Sequence, residues 1–214
     1  MRLGVYVITD RELCGARGVI ETVRRAVAGG VRVVQLRDKH AEFDEQLRQV
    51  DALAEAIDGR ALLVVNDRLD VAIAARDRGI PVDGVHLGQD DAQAIAAREA
   101  LGPGALVGLT ANTRQHLAAV ERLPAGTVDY LGVGVIRATA TKPDHPPALG
   151  VEGFARLAAS TATPCVAIGG VGLADVAPLK RAGAAGIAVV SAVCAAQDPE
   201  AAARALALEW ERSG

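Results

Sequence analysis

The chain has 214 residues, half of them hydrophobic, and a net charge of −3. That balance excludes a highly charged disordered polymer, and a domain of this length buries roughly 70% of its unfolded surface, so its core needs no staples. The mild negative charge, with only five aromatic residues (Tyr6, Phe43, Tyr130, Phe154, Trp210), argues against a nucleic-acid partner, which would need basic clusters and stacking platforms.

Cys14, Cys165 and Cys194 are odd in number and widely spaced, with no CxxC pair. They point to a reducing compartment and to core packing. The apolar run Leu3–Ile8 is too short for a signal peptide and closes at Asp10-Arg11. The longest apolar stretch, Ile187–Ala196, is about half a membrane span. The expectation is a cytoplasmic protein without a membrane partner, with a homo-oligomer left open.

Short β-branched runs alternate with longer Ala-, Leu- and Arg-rich segments about eight times. In chain order the runs are Gly4–Ile8, Arg32–Leu36, Leu62–Val65, Asp83–Leu87, Leu106–Leu109, Tyr130–Gly134, Cys165–Ile168 and Ile187–Val190. Each is apolar throughout rather than alternating, as strands buried on both faces are. The segments between them carry helical spacing, as at Phe43, Leu47, Val50, Leu53, Ala54 and Ile57. Helices end in glycine turns (Gly29-Gly30, Gly183) before the next strand, and Asp198-Pro199 reads as an N-cap followed by a first-turn proline. Eight β-α units without a linker predict an α/β fold, a single (β/α)8 TIM barrel forming one domain over residues 1–214. A doubly wound open sheet is the rival, but the glycine fingerprint GxGxxG is missing after the first strand.

In a barrel the chemistry sits where strands end. After strand 2 stand Gln35, Arg37 and Lys39, which share a face if the strand continues. Three converging donors suit a polyanion, since Arg chelates phosphate and Lys adds a point charge. Lysine is scarce here, three against twenty arginines, which favours a functional role over a solvated surface cluster. After strands 3 and 4 come Asn66-Asp67 and Gln89-Asp90-Asp91. Each Asp alone reads as a helix cap, but carboxylates at adjacent strand ends with no His/Cys cluster suit Mg2+.

After strand 6 a long loop from Arg137 to about Leu149 carries Thr139, Thr141 and Lys142, hydroxyls beside one of the three lysines. Gly169-Gly170 after strand 7 and Val190-Ser191 after strand 8 let backbone N–H groups approach a phosphate. Tight packing turns are the alternative there. His86 in strand 4 reads as a packed or hydrogen-bonded core residue, and His40, His116 and His145 show no triad or metal spacing.

Taken together, Val34-Gln35-Leu36-Arg37-Asp38-Lys39, Val65-Asn66-Asp67-Arg68, Asp83-Gly84-Val85-His86-Leu87-Gly88-Gln89, Thr139-Ala140-Thr141-Lys142-Pro143-Asp144, Ala167-Ile168-Gly169-Gly170 and Val189-Val190-Ser191 resemble thiamine-phosphate synthase. The resemblance implies a transferase of thiamine biosynthesis. Its small-molecule partners are hydroxymethylpyrimidine diphosphate and a thiazole phosphate, joined with Mg2+ as cofactor and diphosphate as leaving group.

By position, the resemblance gives Gln35, Arg37, Lys39 and Asn66 to the pyrimidine diphosphate, and Asp67 and Asp91 to Mg2+. It gives Lys142, with Arg37 and Lys39, to the leaving diphosphate, and Thr110 to the place where the family usually has Ser. Thr139 and Thr141, with backbone groups of Gly170, Val190 and Ser191, are then expected to hold the thiazole phosphate. The implied mechanism is dissociative and needs charge stabilisation and positioning, not a general base. The chain departs from the family pattern at Thr110, at Gly134-Val135 in place of Gly-Pro, and at Ile136-Arg137-Ala138, where an aromatic residue and a proline are usual. The rivals are a thiazole tautomerase, a Schiff-base aldolase using Lys39 or Lys142, and a non-catalytic phosphate-binding barrel.

Overall fold

A computed structural model describes residues 3–139 and 147–213. Eight parallel strands close in chain order: β1 (Gly4–Ile8), β2 (Val33–Leu36), β3 (Leu62–Asn66), β4 (Gly84–Leu87), β5 (Leu106–Thr110), β6 (Tyr130–Gly134), β7 (Cys165–Ile168) and β8 (Gly186–Val189). Strand β8 pairs with β1 through the register Gly4↔Gly186 to Val7↔Val189, which leaves the sheet no free edge. Helices α1 (Arg11–Cys14) and α2 (Val19–Ala28) follow β1, and α3 (Phe43–Ile57), α4 (Leu69–Asp77), α5 (Asp91–Leu101) and α6 (Arg114–Glu121) follow β2 to β5. Then come α7 (Gly150–Ala158), α8 (Leu173–Arg181), the short α9 (Ser191–Cys194) and α10 (Pro199–Arg212). This is the (β/α)8 barrel that the periodicity predicts, with strand bounds within one residue of those expected.

The strands read as apolar throughout because both faces are covered. Inward, Tyr6, Ile8, Val33, Val64, Leu106, Tyr130, Val166 and Ala188 pack into one cluster inside the barrel. Outward, residues such as Val5, Val34, Leu63, Val85, Val107 and Ile187 pack beneath the helices. On α3, Leu47, Val50, Leu53 and Ile57 are buried while Phe43 and Ala54 are half-buried, so one stripe of the expected spacing meets the sheet. The Asp198 carboxylate accepts from the Glu200 and Ala201 N–H groups behind Pro199, the cap expected for α10. The three cysteines are buried thiols. Among the described residues no helix is long and apolar enough to cross a membrane.

At the N-terminal ends of the strands, polar side chains brace the barrel. The Asp83 carboxylate accepts the Leu63 N–H at 2.6 Å, and Asp129 accepts the Val107 N–H at 2.7 Å. Arg98 joins Asp129 at 2.5 Å and also donates to the carbonyls of Gly102 and Ala105. Arg76 likewise donates to the carbonyls of Val82, Asp83 and Leu101. These bonds tie side chains to backbone at the start of the strands, where the ladder of the barrel begins.

Candidate active site

At the opposite end, where the strands finish, a cleft opens whose empty volume is about 900 Å³, mouth included. Six of the expected site residues meet there: Arg37 after β2, Thr110 at the end of β5, Thr139 in the loop after β6, Gly170 after β7, and Val190 and Ser191 after β8. Arg37 is held by its own backbone, whose N–H donates to the buried Thr9 hydroxyl at 2.9 Å. Thr9 and Asn112 also line the cleft, and the sequence reading overlooked both. The Asn112 side-chain oxygen accepts the Gly134 N–H at 3.3 Å, which fixes the end of β6 beside that of β5.

The expected convergence of Gln35, Arg37 and Lys39 on one face does not occur. Strand β2 stops at Leu36, so the two-residue alternation ends before Lys39, which is exposed and does not line the cleft. Gln35 is only 2% exposed and points into the barrel, where its Nε2 donates to the Tyr6 hydroxyl at 2.7 Å. From there a chain of polar groups crosses the floor of the cleft. Tyr6 and Tyr130 hydroxyls are 2.9 Å apart, Tyr130 lies 3.0 Å from His86 Nδ1, and His86 Nε2 lies 3.2 Å from the Thr110 hydroxyl. His86 is thus the hydrogen-bonded core residue expected of it.

Room for this chain comes from glycine. A Cβ at Gly108 would lie 2.2 Å from the Tyr130 ring, so no other residue fits at that inward position. Burial pushes both tyrosine hydroxyls well above the ordinary value, and the hydrogen bonds with Tyr130 and Gln35 offset only part of this at Tyr6. Both phenols therefore stay neutral. The signal that could have found them is compositional: the chain has two tyrosines, both fall in strands, and a buried phenol needs a partner.

Beyond β3 and β4 the structure separates the acidic residues by task. Asp90 caps α5, accepting from the Ala92 and Gln93 N–H groups, which leaves Asp91 uninvolved in the cap. Asp67 is exposed and sits at φ 59°, a left-handed conformation that Asp tolerates better than most residues. Its Oδ2 accepts from Asn66 Nδ2 at 2.8 Å, and its N–H bonds the His86 carbonyl, which ties the β3 end to β4. Among the described residues no group of three or more His, Cys, Asp and Glu is placed to hold a metal. Asp67 and Asp91 follow neighbouring strands, and carboxylate oxygens are the ligand type that Mg2+ takes beside its waters and phosphate oxygens.

Across the cleft, Gly169 and Gly170 adopt φ of +90° and +65° and bring bare backbone against the loop after β6. Next to them the short α9 begins at Ser191, and its Val193 and Cys194 N–H groups turn back to the Val190 carbonyl. Loops after strands 7 and 8 with a short extra helix form the recurring anion cradle of this fold. Arg137 starts the loop after β6, and its guanidinium reaches Asp175 in the first turn of α8, with Nε at 2.9 Å and Nη2 at 2.6 Å from Oδ1. Asp175 also accepts the Gly172 N–H at 3.0 Å. Burial raises the Asp175 carboxyl, but the bonds from Arg137 and Gly172 outweigh it and hold the group below its usual range. Thr141 and Lys142 lie outside the described residues.

Residues 5–193 match the sequence model of the family described as thiamine monophosphate synthase. A thiamine-phosphate synthase from Azorhizobium caulinodans is 47% identical over 205 residues, covering 95% of this chain and 93% of that protein. One from a Psychrobacter species is 44% identical over 204 residues, again covering 95% and 93%. A solved structure, thiamine phosphate pyrophosphorylase from Pyrococcus furiosus, superposes with a TM-score of 0.84 at 32% identity, covering 99% of this chain and 96% of that one. With an eight-stranded barrel, a cleft at its C-terminal face and these relatives across nearly its whole length, the chain belongs to the thiamine monophosphate synthase family.

Proposed function

We propose that this transferase joins hydroxymethylpyrimidine diphosphate to a thiazole phosphate, giving thiamine phosphate and releasing diphosphate in a Mg2+-dependent reaction. The observation that carries this reading is a single cleft with two ends suited to phosphate. One end has Arg37 and Thr110, and Asp67 and Asp91 follow the neighbouring strands β3 and β4. The other has the glycine turn at 169–170 and the start of α9. Two phosphorylated substrates brought to one cleft need that division.

The proposed reaction is dissociative. The bond from the pyrimidine methylene to the diphosphate oxygen breaks first, and the thiazole nitrogen then captures the resulting cation to form the new C–N bond. Asp67 and Asp91 would hold Mg2+, which when bound neutralises charge on the leaving diphosphate. Arg37 would bind the same group bidentately, and Thr110 would add a hydroxyl contact. Asn66 and Gln35, which the resemblance gives to the diphosphate, would act indirectly, Asn66 by orienting Asp67 and Gln35 from beneath the cleft through Tyr6. Lys39 and Lys142 remain assigned to the diphosphate by family position alone, as Thr141 is to the thiazole phosphate. Thr139, Gly170, Val190 and Ser191 would fix the thiazole phosphate so that its ring nitrogen faces the developing cation, supplying proximity instead of proton transfer.

The purified protein with both substrates and Mg2+ is expected to form thiamine phosphate and release one diphosphate per turnover. Omission of either substrate or addition of a chelator is expected to stop both. Diphosphate release with the pyrimidine substrate alone, or no product with all three present, refutes the assignment.

A further inference from the structure

Beneath the cleft, the polar chain across the barrel floor has a direction. Gln35 presents Nε2 to Tyr6, so the Tyr6 oxygen accepts there and its own proton goes to Tyr130, 2.9 Å away. Tyr130 has then accepted from Tyr6, and its proton goes on to His86 Nδ1 at 3.0 Å. An imidazole that accepts at Nδ1 carries its proton on Nε2, which faces the Thr110 hydroxyl at 3.2 Å. Thr110 accepts from the imidazole and keeps its own proton to give, which in this structure goes to the Leu87 carbonyl at a long 3.3 Å and is free to turn to a better acceptor.

We infer that Tyr130 is a positioning residue that fixes His86 as the neutral Nε2–H imidazole and so turns Thr110 into a hydrogen-bond donor toward the bound diphosphate. The inference rests on the transferase reading above and goes beyond it in assigning the source of that donor. Its geometric base is burial: Tyr6, Gln35 and Tyr130 are each 2% exposed or less, so an unpaired hydroxyl in this chain would be costly. Both tyrosines remain un-ionised, as the burial at their hydroxyls requires. The opposite polarity, with the Gln35 amide turned over, would put the imidazole proton on Nδ1. It would also tie up the Thr110 proton at His86, leaving no donor for the leaving group. The two polarities make the same contacts but opposite chemistry.

The first test needs no substrate. In protein labelled with 15N, the side-chain nitrogen shifts of the four histidines distinguish the two neutral tautomers and the imidazolium, and a His86→Asn variant assigns the His86 signals. An Nε2–H tautomer at neutral pH is expected, and an Nδ1–H tautomer or an imidazolium overturns the inference. The second test is kinetic, with both ring substrates and Mg2+ saturating. Tyr130→Phe is expected to lower kcat tenfold to a hundredfold, the scale on which outer partners of metal-site histidines act, with KM values changed less than about threefold.

Because Tyr130 is argued to act through Thr110, adding Tyr130→Phe to Thr110→Val is expected to lower kcat no further than Thr110→Val does alone. Additive losses, or an unchanged kcat in folded Tyr130→Phe, overturn it. If Tyr130→Phe does not fold, Tyr6→Phe interrupts the chain one step earlier, and an unchanged tautomer mixture and kcat in that variant count against the inference. If the unmodified protein makes no thiamine phosphate, the proposed function fails, while the tautomer measurement still decides the polarity.

Discussion

Arg37 joins the barrel to its cleft through two separate devices. Its N–H is fixed by the buried Thr9 hydroxyl, while its side chain stands in the cleft with no protein carboxylate paired to it among the described residues. A guanidinium kept out of ion pairs is available for a bidentate anion. Arg37→Ala is expected to lower kcat about a hundredfold, as loss of one preorganised donor to a developing charge does. Its stability should change by less than about 0.5 kcal/mol, because the side chain makes no hydrogen bond or ion pair among the described residues. Arg37→Lys should recover little, since a point charge does not replace the planar fork. Steady-state rates and urea melts of the two variants check this. At Thr110, replacement by Ser keeps the hydroxyl and should keep most of the turnover. Thr110→Val keeps the shape, removes the acceptor facing His86, and should lose about as much as Arg37→Ala.

Among the elements, the loop after β6 and the start of α8 are tied together by Arg137 and Asp175. The acidic partner of this ion pair is nearly buried. Asp175→Asn removes the charge and forces one amide N–H toward a donor, either Gly172 or Arg137. A loss of about 1–3 kcal/mol is expected at neutral pH, the penalty for an unsatisfied buried group. The sign with pH follows from the depressed carboxyl. A folded-state value below the unfolded one, near 3.9, gives stability that is fully present above about pH 4 and is lost as pH falls through the folded value. Denaturation at several pH values should therefore show the gap between the native protein and Asp175→Asn narrowing on acidification. A gap that widened in acid would break the account.

On the scale of the whole molecule, the fold was legible because one physical constraint repeats eight times. Strands covered on both faces must be apolar, helices over them must carry one apolar stripe, and Gly30 and Gly183 must turn the chain back at positive φ. The position of the cleft was legible where a strand end places a residue directly, as at Arg37, Thr110 and Ser191. The site was not legible where a side chain's direction depends on where a strand stops, which decided Gln35 and Lys39. Nor was it legible where partners lie far apart in the sequence: Tyr6 and Tyr130 are separated by 124 positions, and Arg137 and Asp175 by 38. Such pairings are fixed only by closure of the barrel.

Closure also divides the molecule into two ends with different duties. Arg98, Asp129, Asp83 and Arg76 brace the strand starts, while Arg37, Thr110 and the 169–170 turn face the cleft at the strand finishes. Arg98→Ala removes three hydrogen bonds and leaves Asp129 with the Val107 N–H alone. Both partners are mostly shielded, with side chains 15% and 30% exposed, so breaking the pair is expected to cost about 2–4 kcal/mol, below the figure for a fully buried pair. For a chain of this length that lowers the melting temperature by roughly 5–15 °C. At a temperature well below the melt, its kcat should stay within twofold of the native value, because the brace lies at the end remote from the cleft. Arg37→Ala should show the reverse pair of effects. Measuring melting and turnover on both variants tests the division, and a large loss of kcat in folded Arg98→Ala would show that the strand starts also set the geometry of the cleft.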